Sequence, residues 1–197
     1  MQKDEKTYSN DGVFGNTRYG SPYVSKGLRC AVHLTQFGEF TNKKILCIGS
    51  GNGYEAVWFI KRGCKVTIAD IYQPDVKILK GTQVKAYAQD LPFRDNEFDL
   101  VFCCEVMEHV SIENTVPILK EAKRVGRSVF FTIADTPDPP YNTHINIHGF
   151  TFWYSLFKNL GFKILNAQHY PRIPLLVAKN TVWFNKYKDG ILIYAEC

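Results

Sequence analysis

The chain has 197 residues, 45% of them apolar and 22% charged, with a net charge of +5 at pH 7. That length and composition suit one domain with a full hydrophobic core, and exclude a disordered chain or a small scaffold that needs disulfides to fold. The charge excludes a strongly acidic protein and falls short of the dense basic stripe of a dedicated nucleic-acid binder.

The first 20 or so residues are polar and rich in Gly and Asn, and read as an arm or lid without the apolar stretch of a signal peptide. No apolar run reaches the roughly 18 residues of a membrane span. Residues 22–38 place Val24, Leu28, Cys30, Ala31, Leu34 and Phe37 at mixed three- and four-residue intervals, predicting an amphipathic helix that ends at Gly38. The six cysteines, at 30, 47, 64, 103, 104 and 197, lack paired C-x-x-C spacing and read as reduced thiols of a cytoplasmic protein.

From residue 44 the pattern alternates. Strands are predicted at 44–48, 65–69, 84–88, 98–104 and 128–134, with helices at 52–62, 74–80 and 115–125 between them. The helix at 115–125 is expected to turn Val116, Leu119, Ala122 and Lys123 to one side. An aromatic helix at 150–160 follows, then strands at 163–168 and 191–195. Strands alternating with helices predict a parallel α/β sheet covered on both faces. The last connection holds Pro171 and Pro174 and no clear helix, so the final two strands are expected to form an antiparallel hairpin.

The sharpest motif is Ile45-Leu46-Cys47-Ile48-Gly49-Ser50-Gly51-Asn52-Gly53-Tyr54. An apolar strand runs into G-x-G-x-G and a helix follows, so the backbone can turn tightly and approach a ligand closely. Asp70 ends the next strand, where an acid can bind ribose hydroxyls. Read structurally, the same residues are a glycine turn and a helix-capping acid. Tyr54 stands where the dinucleotide fingerprint needs a third glycine, and no phosphate-loop lysine is present, so an adenosine ligand without phosphates suits the loop best.

With these residues in hand, the chain resembles the class I S-adenosylmethionine-dependent methyltransferases, in their quinone-methylase-like branch (methyltransferase type 11/12-like). Three segments carry the resemblance: KILCIGSGNG with VTIAD, the stretch Asp90-Leu91-Pro92-Phe93-Arg94-Asp95-Asn96-Glu97-Phe98-Asp99-Leu100-Val101, and Glu105-Val106-Met107-Glu108-His109-Val110. It implies a Rossmann-like seven-stranded sheet, mostly parallel, with an antiparallel last strand and helices on both faces. It also implies one methyltransferase domain over 1–197: an N-terminal arm and helix (1–40), a cofactor-binding half (41–134), and an acceptor-side loop with C-terminal strands (135–197). The implied cofactor contacts are Gly49, Ser50, Gly51 and Gly53 at the methionine and ribose end, Asp70 and Ile71 at the ribose, Asp90 and Leu91 at the adenine, and Glu105 beside the methionine part. One departure is Cys47, where the family usually has an acid.

Glu105, Glu108 and His109 form E-x-x-E-H, and His144 and His148 follow the fifth strand. If helical, residues i, i+3 and i+4 share a face. Glu105, Glu108, His109 and one of His144 or His148 could then hold Mg²⁺ or Mn²⁺, which would bind two vicinal oxygens and acidify the attacking hydroxyl. Relatives with similar motifs need no metal, and each histidine also reads as structural. As general base for an oxygen acceptor, His148 and His144 come first and His109 next. The resemblance implies O-methylation of a small molecule or sugar-containing acceptor. The alternatives are a metal-dependent 2′-O-methyltransferase acting on an RNA 3′ end and a non-catalytic cofactor-binding subunit. No membrane partner is expected.

Overall fold

The computed structural model describes residues 30–31, 33–51, 53–71, 82–170 and 190–197. The seven strands are β1 (Lys44–Ile48), β2 (Lys65–Asp70), β3 (Thr82–Lys85), β4 (Leu100–Cys104), β5 (Ser128–Ala134), β6 (Lys163–Tyr170) and β7 (Gly190–Glu196). They form one sheet in the order β3-β2-β1-β4-β5-β7-β6. The pairs β3–β2, β2–β1, β1–β4 and β4–β5 are parallel, whereas β7 runs antiparallel to both β5 and β6. The expected final hairpin is therefore present.

The central strands are buried on both faces, which is why KILCI, LVFCC and SVFFTIA read as continuous apolar runs. Alternate residues serve two cores. Leu46, Ile48, Val101, Cys103, Phe131 and Ile133 pack under α2 (Ile112–Val125) and α3 (Phe150–Asn159). Ile45, Cys47, Leu100, Phe102 and Phe130 pack under α1 (Tyr54–Ile60) and the helical residues Cys30, Ala31 and Leu34. Phe102 and Phe130 stack across neighbouring strands with ring centroids 5.3 Å apart. Fully burying rings of this kind contributes about 1.5–3 kcal/mol each.

Several predicted boundaries shift. Helix α2 starts at Ile112 with Ser111 as N-cap, three residues before the predicted start, and continues through Pro117. Its buried face is Thr115, Ile118, Leu119, Ala122 and Val125. Val116 is only half-buried, and Lys123 instead reaches the end of α3, donating to the carbonyls of Leu160 (2.9 Å) and Gly161 (2.7 Å). A cation at a helix C-terminus meets both the unpaired carbonyls and the negative end of the dipole. The third strand runs from Thr82 to Lys85 rather than to Ala88, and α1 begins at Tyr54 rather than at Asn52. The helix expected at 74–80, the first eight residues of the helix expected at 22–38 and the N-terminal arm lie outside the described residues. Among the described residues, no helix is long and apolar enough to cross a membrane, and Cys30, Cys47, Cys64, Cys103, Cys104 and Cys197 are free thiols.

Candidate functional site

The register aligns the carboxyl ends of the central strands. Ile48 pairs with Ala69 on one side and with Cys103 on the other, so Gly49, Asp70 and Glu105 emerge along one edge. Strand order reverses between β1 and β4, which opens the crevice where parallel α/β sheets bind ligands.

The loop between β1 and α1 is built on left-handed glycines, with φ of +64° at Gly49, +53° at Gly51 and +69° at Gly53. A Cβ on Gly49 would stand 2.5 Å from Cγ2 of Val106, so the turn must pass against the β4 loop with no side chain. A Cβ on Gly51 would meet nothing within 4 Å, because this part of the loop faces open space. The Gly51 amide donates to a carboxylate oxygen of Asp70 at 3.4 Å, and the Gly49 amide donates to the Ala69 carbonyl at 3.0 Å. The loop is thus fastened to the end of β2, with half-buried Asp70 and Ile71 beside it.

Asp90 is exposed and follows β3, with its amide on the Tyr87 carbonyl at 3.0 Å. The backbone next to it is held by α2. The Leu91 amide donates to the Glu121 carboxylate at 2.9 Å, and the Arg124 guanidinium donates to the carbonyls of Leu91 (3.0 Å) and Phe93 (2.7 Å). The same guanidinium grips Glu121 through two bonds of 2.7 Å and Asp95 at 2.9 Å. The Arg124 hydrogen bonds, partly offset by burial, hold the Glu121 carboxyl below its ordinary range. Leu91, read from sequence as lying beside an adenine, has both backbone polar groups engaged in this clamp. The planar five-donor fork explains the choice of arginine.

Beyond β4 the chain makes a 3-10 turn at Met107–His109 rather than a continuing helix. Glu105 sits before it in the left-handed region at φ +56°, with its amide on the Thr132 carbonyl at 2.8 Å. The loop after β5 is pinned onto this turn. The Ile145 and Asn146 amides donate to the Glu108 carbonyl at 2.8 and 3.0 Å. The buried Asn146 amide group donates to the Met107 carbonyl and the Thr115 hydroxyl, both at 2.9 Å. Asp138 accepts from the Thr143 hydroxyl and from the His144 amide at 3.0 Å.

This pinning brings Glu108, His109 and His144 together, with one ligand-capable atom of each within 4.8 Å of the others. The Nδ1 atoms of His109 and His144 face the carbonyls of Thr143 (3.1 Å) and Thr136 (2.6 Å). A carbonyl can only accept, so each ring carries a proton on Nδ1, which leaves Nε2 as the ligand-capable nitrogen of the neutral ring. Backbone carbonyls orient metal-ligating histidines in this way. Burial pushes the His109 imidazole down to about 4, although its Thr143 bond acts in the opposite direction. It is therefore neutral near pH 7, as a ligand must be, and a weak base. Glu108 is fully buried. The predicted set of four contracts to this trio, and Glu105 stands outside it. His148 is also elsewhere, stacked on Phe152 with centroids 3.9 Å apart and edge-on to Trp153.

Sequence reasoning missed Glu55. It lies in the first turn of α1, is 4% exposed, and accepts a hydrogen bond from the Ser50 hydroxyl. Its signal was an acid one turn before the core residue Phe59, on the apolar face of YEAVWFI. Burial, with Asp70 as a lesser cause, lifts its carboxyl from 4.5 to about 7 despite the Ser50 bond. Asn146 and Asp138, which hold the loop carrying His144, were missed as well.

Residues 46–129 match the family described as Methyltransferase domain. An uncharacterized protein of Methanocaldococcus jannaschii is 36% identical over 90 residues, 44% of this chain and 39% of that protein. A ubiquinone biosynthesis O-methyltransferase of Rickettsia bellii is 25% identical over 155 residues, 69% of this chain and 62% of that enzyme. The chain thus spans less than two thirds of either relative. The solved structure of the 1,6-didemethyltoxoflavin-N1-methyltransferase of Burkholderia thailandensis, which holds its acceptor and S-adenosylhomocysteine, superposes with a TM-score of 0.67 over 86% of this chain and 77% of that one. At 16% identity, that likeness establishes the fold alone. The matched segment holds the strand, glycine loop and acid already described and resembles a methyltransferase domain, and the strand order accords with the fold of that solved methyltransferase.

Proposed function

We propose that this chain transfers a methyl group from S-adenosylmethionine to an oxygen of a small-molecule or sugar-containing acceptor, with a divalent cation held by Glu108, His109 and His144. The observation that carries the cation is the paired orientation of the two imidazoles, both with Nε2 freed by a carbonyl on Nδ1 and both grouped with a buried carboxylate. The likeness to a ubiquinone biosynthesis O-methyltransferase supports oxygen as the acceptor atom.

The residues present fit the cofactor. The open face at Gly51 leaves room for it, Asp70 offers its carboxylate to a ribose diol, and the clamp through Arg124 fixes the segment that carries Asp90. S-adenosylmethionine supplies a methyl carbon already activated on a sulfonium, so the protein's task is proximity and in-line orientation. A cation at the trio would gather acceptor oxygens and lower the pKa of the attacking hydroxyl. The turn that bears Glu108 and His109 follows directly from Val106, whose side chain lies against Gly49, which supports a cation point near the glycine loop. His109, held near 4, suits ligation better than proton abstraction. Where no cation binds, the Nε2 of His144 is the next acceptor for the hydroxyl proton.

The test is calorimetric titration with S-adenosylmethionine and S-adenosylhomocysteine, then methyl transfer to catechol, sugar and RNA-end acceptors with and without Mg²⁺ or Mn²⁺. Binding of both ligands, with EDTA-sensitive transfer to a catechol or sugar restored by metal, supports the reading. Failure to bind either ligand overturns it, full turnover in excess EDTA removes the cation, and preference for an RNA end replaces the acceptor.

A further inference from the structure

Glu55 has no part in the reading above, yet it is a buried carboxylate directly beneath the ligand loop. Its partner Ser50 lies between Gly49 and Gly51, so its hydrogen bond ties α1 to the middle of the loop. The polar and titratable groups that act on it come from three elements: Cys47 on β1, Ser50 in the loop and Asp70 at the end of β2. Cys47 is held as a neutral thiol by burial first and by Glu55 second. Among the described residues, the charged group that acts on Glu55 is Asp70, another acid.

A buried acid beside a second acid is costly to ionise unless a cation approaches. Resting on the function proposed above, the crevice receives a ligand that is cationic at sulfur before transfer and neutral there afterwards. We propose that Glu55 is a positioning residue that anchors the glycine loop through Ser50 and supplies the negative charge by which this crevice prefers the sulfonium cofactor over its thioether product. Binding of the sulfonium draws Glu55 into its ionised form and releases a proton, whereas the thioether lacks that extra charge and induces less ionisation. The carboxyl, lifted to about 7 in the free protein, is poised to respond near neutral pH.

The experiment is titration calorimetry of the full chain and of Glu55→Gln with S-adenosylmethionine and S-adenosylhomocysteine at pH 5.5 and 7.5, in two buffers of different ionisation enthalpy. The wild type should bind S-adenosylmethionine about tenfold more tightly at pH 7.5 than at pH 5.5, with proton release, while S-adenosylhomocysteine shifts less than twofold. Glu55→Gln keeps the shape and a hydrogen-bonding group, and should lose the proton release and most of the preference. The proton count in the wild type is independent of whether the variant folds. Equal pH shifts for the two ligands, no proton release, or a variant with wild-type preference each overturn this role alone. A wild type that binds neither ligand overturns the proposed function as well.

Discussion

Gly49→Ala tests the cofactor loop by two separable effects. At φ +64° an alanine carries the left-handed penalty of about 1–2 kcal/mol. Its Cβ would also stand 2.5 Å from Cγ2 and 3.2 Å from Cγ1 of Val106. A branched side chain has little rotamer freedom with which to escape, so overpacking adds about 1–3 kcal/mol. The expected total is about 2–5 kcal/mol. Gly51→Ala is the control: its φ is +53°, but its Cβ would meet nothing within 4 Å, so only the strain of about 1–2 kcal/mol applies. Urea unfolding of both variants, of Val106→Ala and of Gly49→Ala/Val106→Ala gives the overlap as a coupling energy. The double variant should recover the overlap and retain the strain. If Gly49→Ala is within 0.5 kcal/mol of Gly51→Ala, or shows no coupling to Val106, the close-approach argument fails. Gly51→Ala should stay folded yet bind S-adenosylmethionine weakly, because its methyl group points into the open crevice.

Three further outcomes are expected. Glu55 has a carboxyl raised in the folded state, so the folded protein holds more protons than the unfolded one between pH 4.5 and about 7, and stability falls as pH rises through that window. The shift corresponds to about 3 kcal/mol, and thermal unfolding should show Glu55→Gln gaining on the wild type from pH 5 to pH 8; parallel pH profiles would refute it. Arg124→Ala should cost about 1–3 kcal/mol and weaken cofactor binding, and Arg124→Lys should fail to restore binding because a point charge cannot span Leu91, Phe93 and Glu121; the check is urea unfolding with titration of the cofactor. Asn146→Ala removes one hydrogen bond each from the Met107 carbonyl and the Thr115 hydroxyl, costs about 1–3 kcal/mol, and should lower Mn²⁺ affinity at least tenfold by releasing His144; metal titration followed by electron paramagnetic resonance checks it.

Local chemistry was legible where neighbours in sequence are neighbours in space. The run KILCI, the glycine turn and the strand ending at Asp70 are successive segments, and backbone sterics with strand burial dictate their shapes almost alone. The antiparallel hairpin was expected because the sequence of the last connection reads without a clear helix. The start of α2 was less legible: the apolar spacing reads from Thr115, whereas the helix begins at Ile112 and packing of Thr115, Ile118 and Leu119 carries it through Pro117. The E-x-x-E-H face was misjudged for a related reason. Helical spacing predicted Glu105, Glu108 and His109 on one side, but Glu105 lies in the bend just past β4 at φ +56° and only the last two share the 3-10 turn.

The sequence by itself determined the α/β alternation, the glycine loop and the acids at the strand ends, because each depends on a periodicity or a backbone conformation within a few residues. Only the tertiary structure decided which histidine meets His109. The spacing of His144 and His148 is silent on that point, and the bonds from Ile145 and Asn146 to the Glu108 carbonyl choose His144. Only the fold, likewise, buried Glu55 beside Cys47 and Asp70. Burial and charge proximity arise when distant segments pack together, so the groups whose chemistry depends on them come into view only once β1, β2 and α1 are assembled.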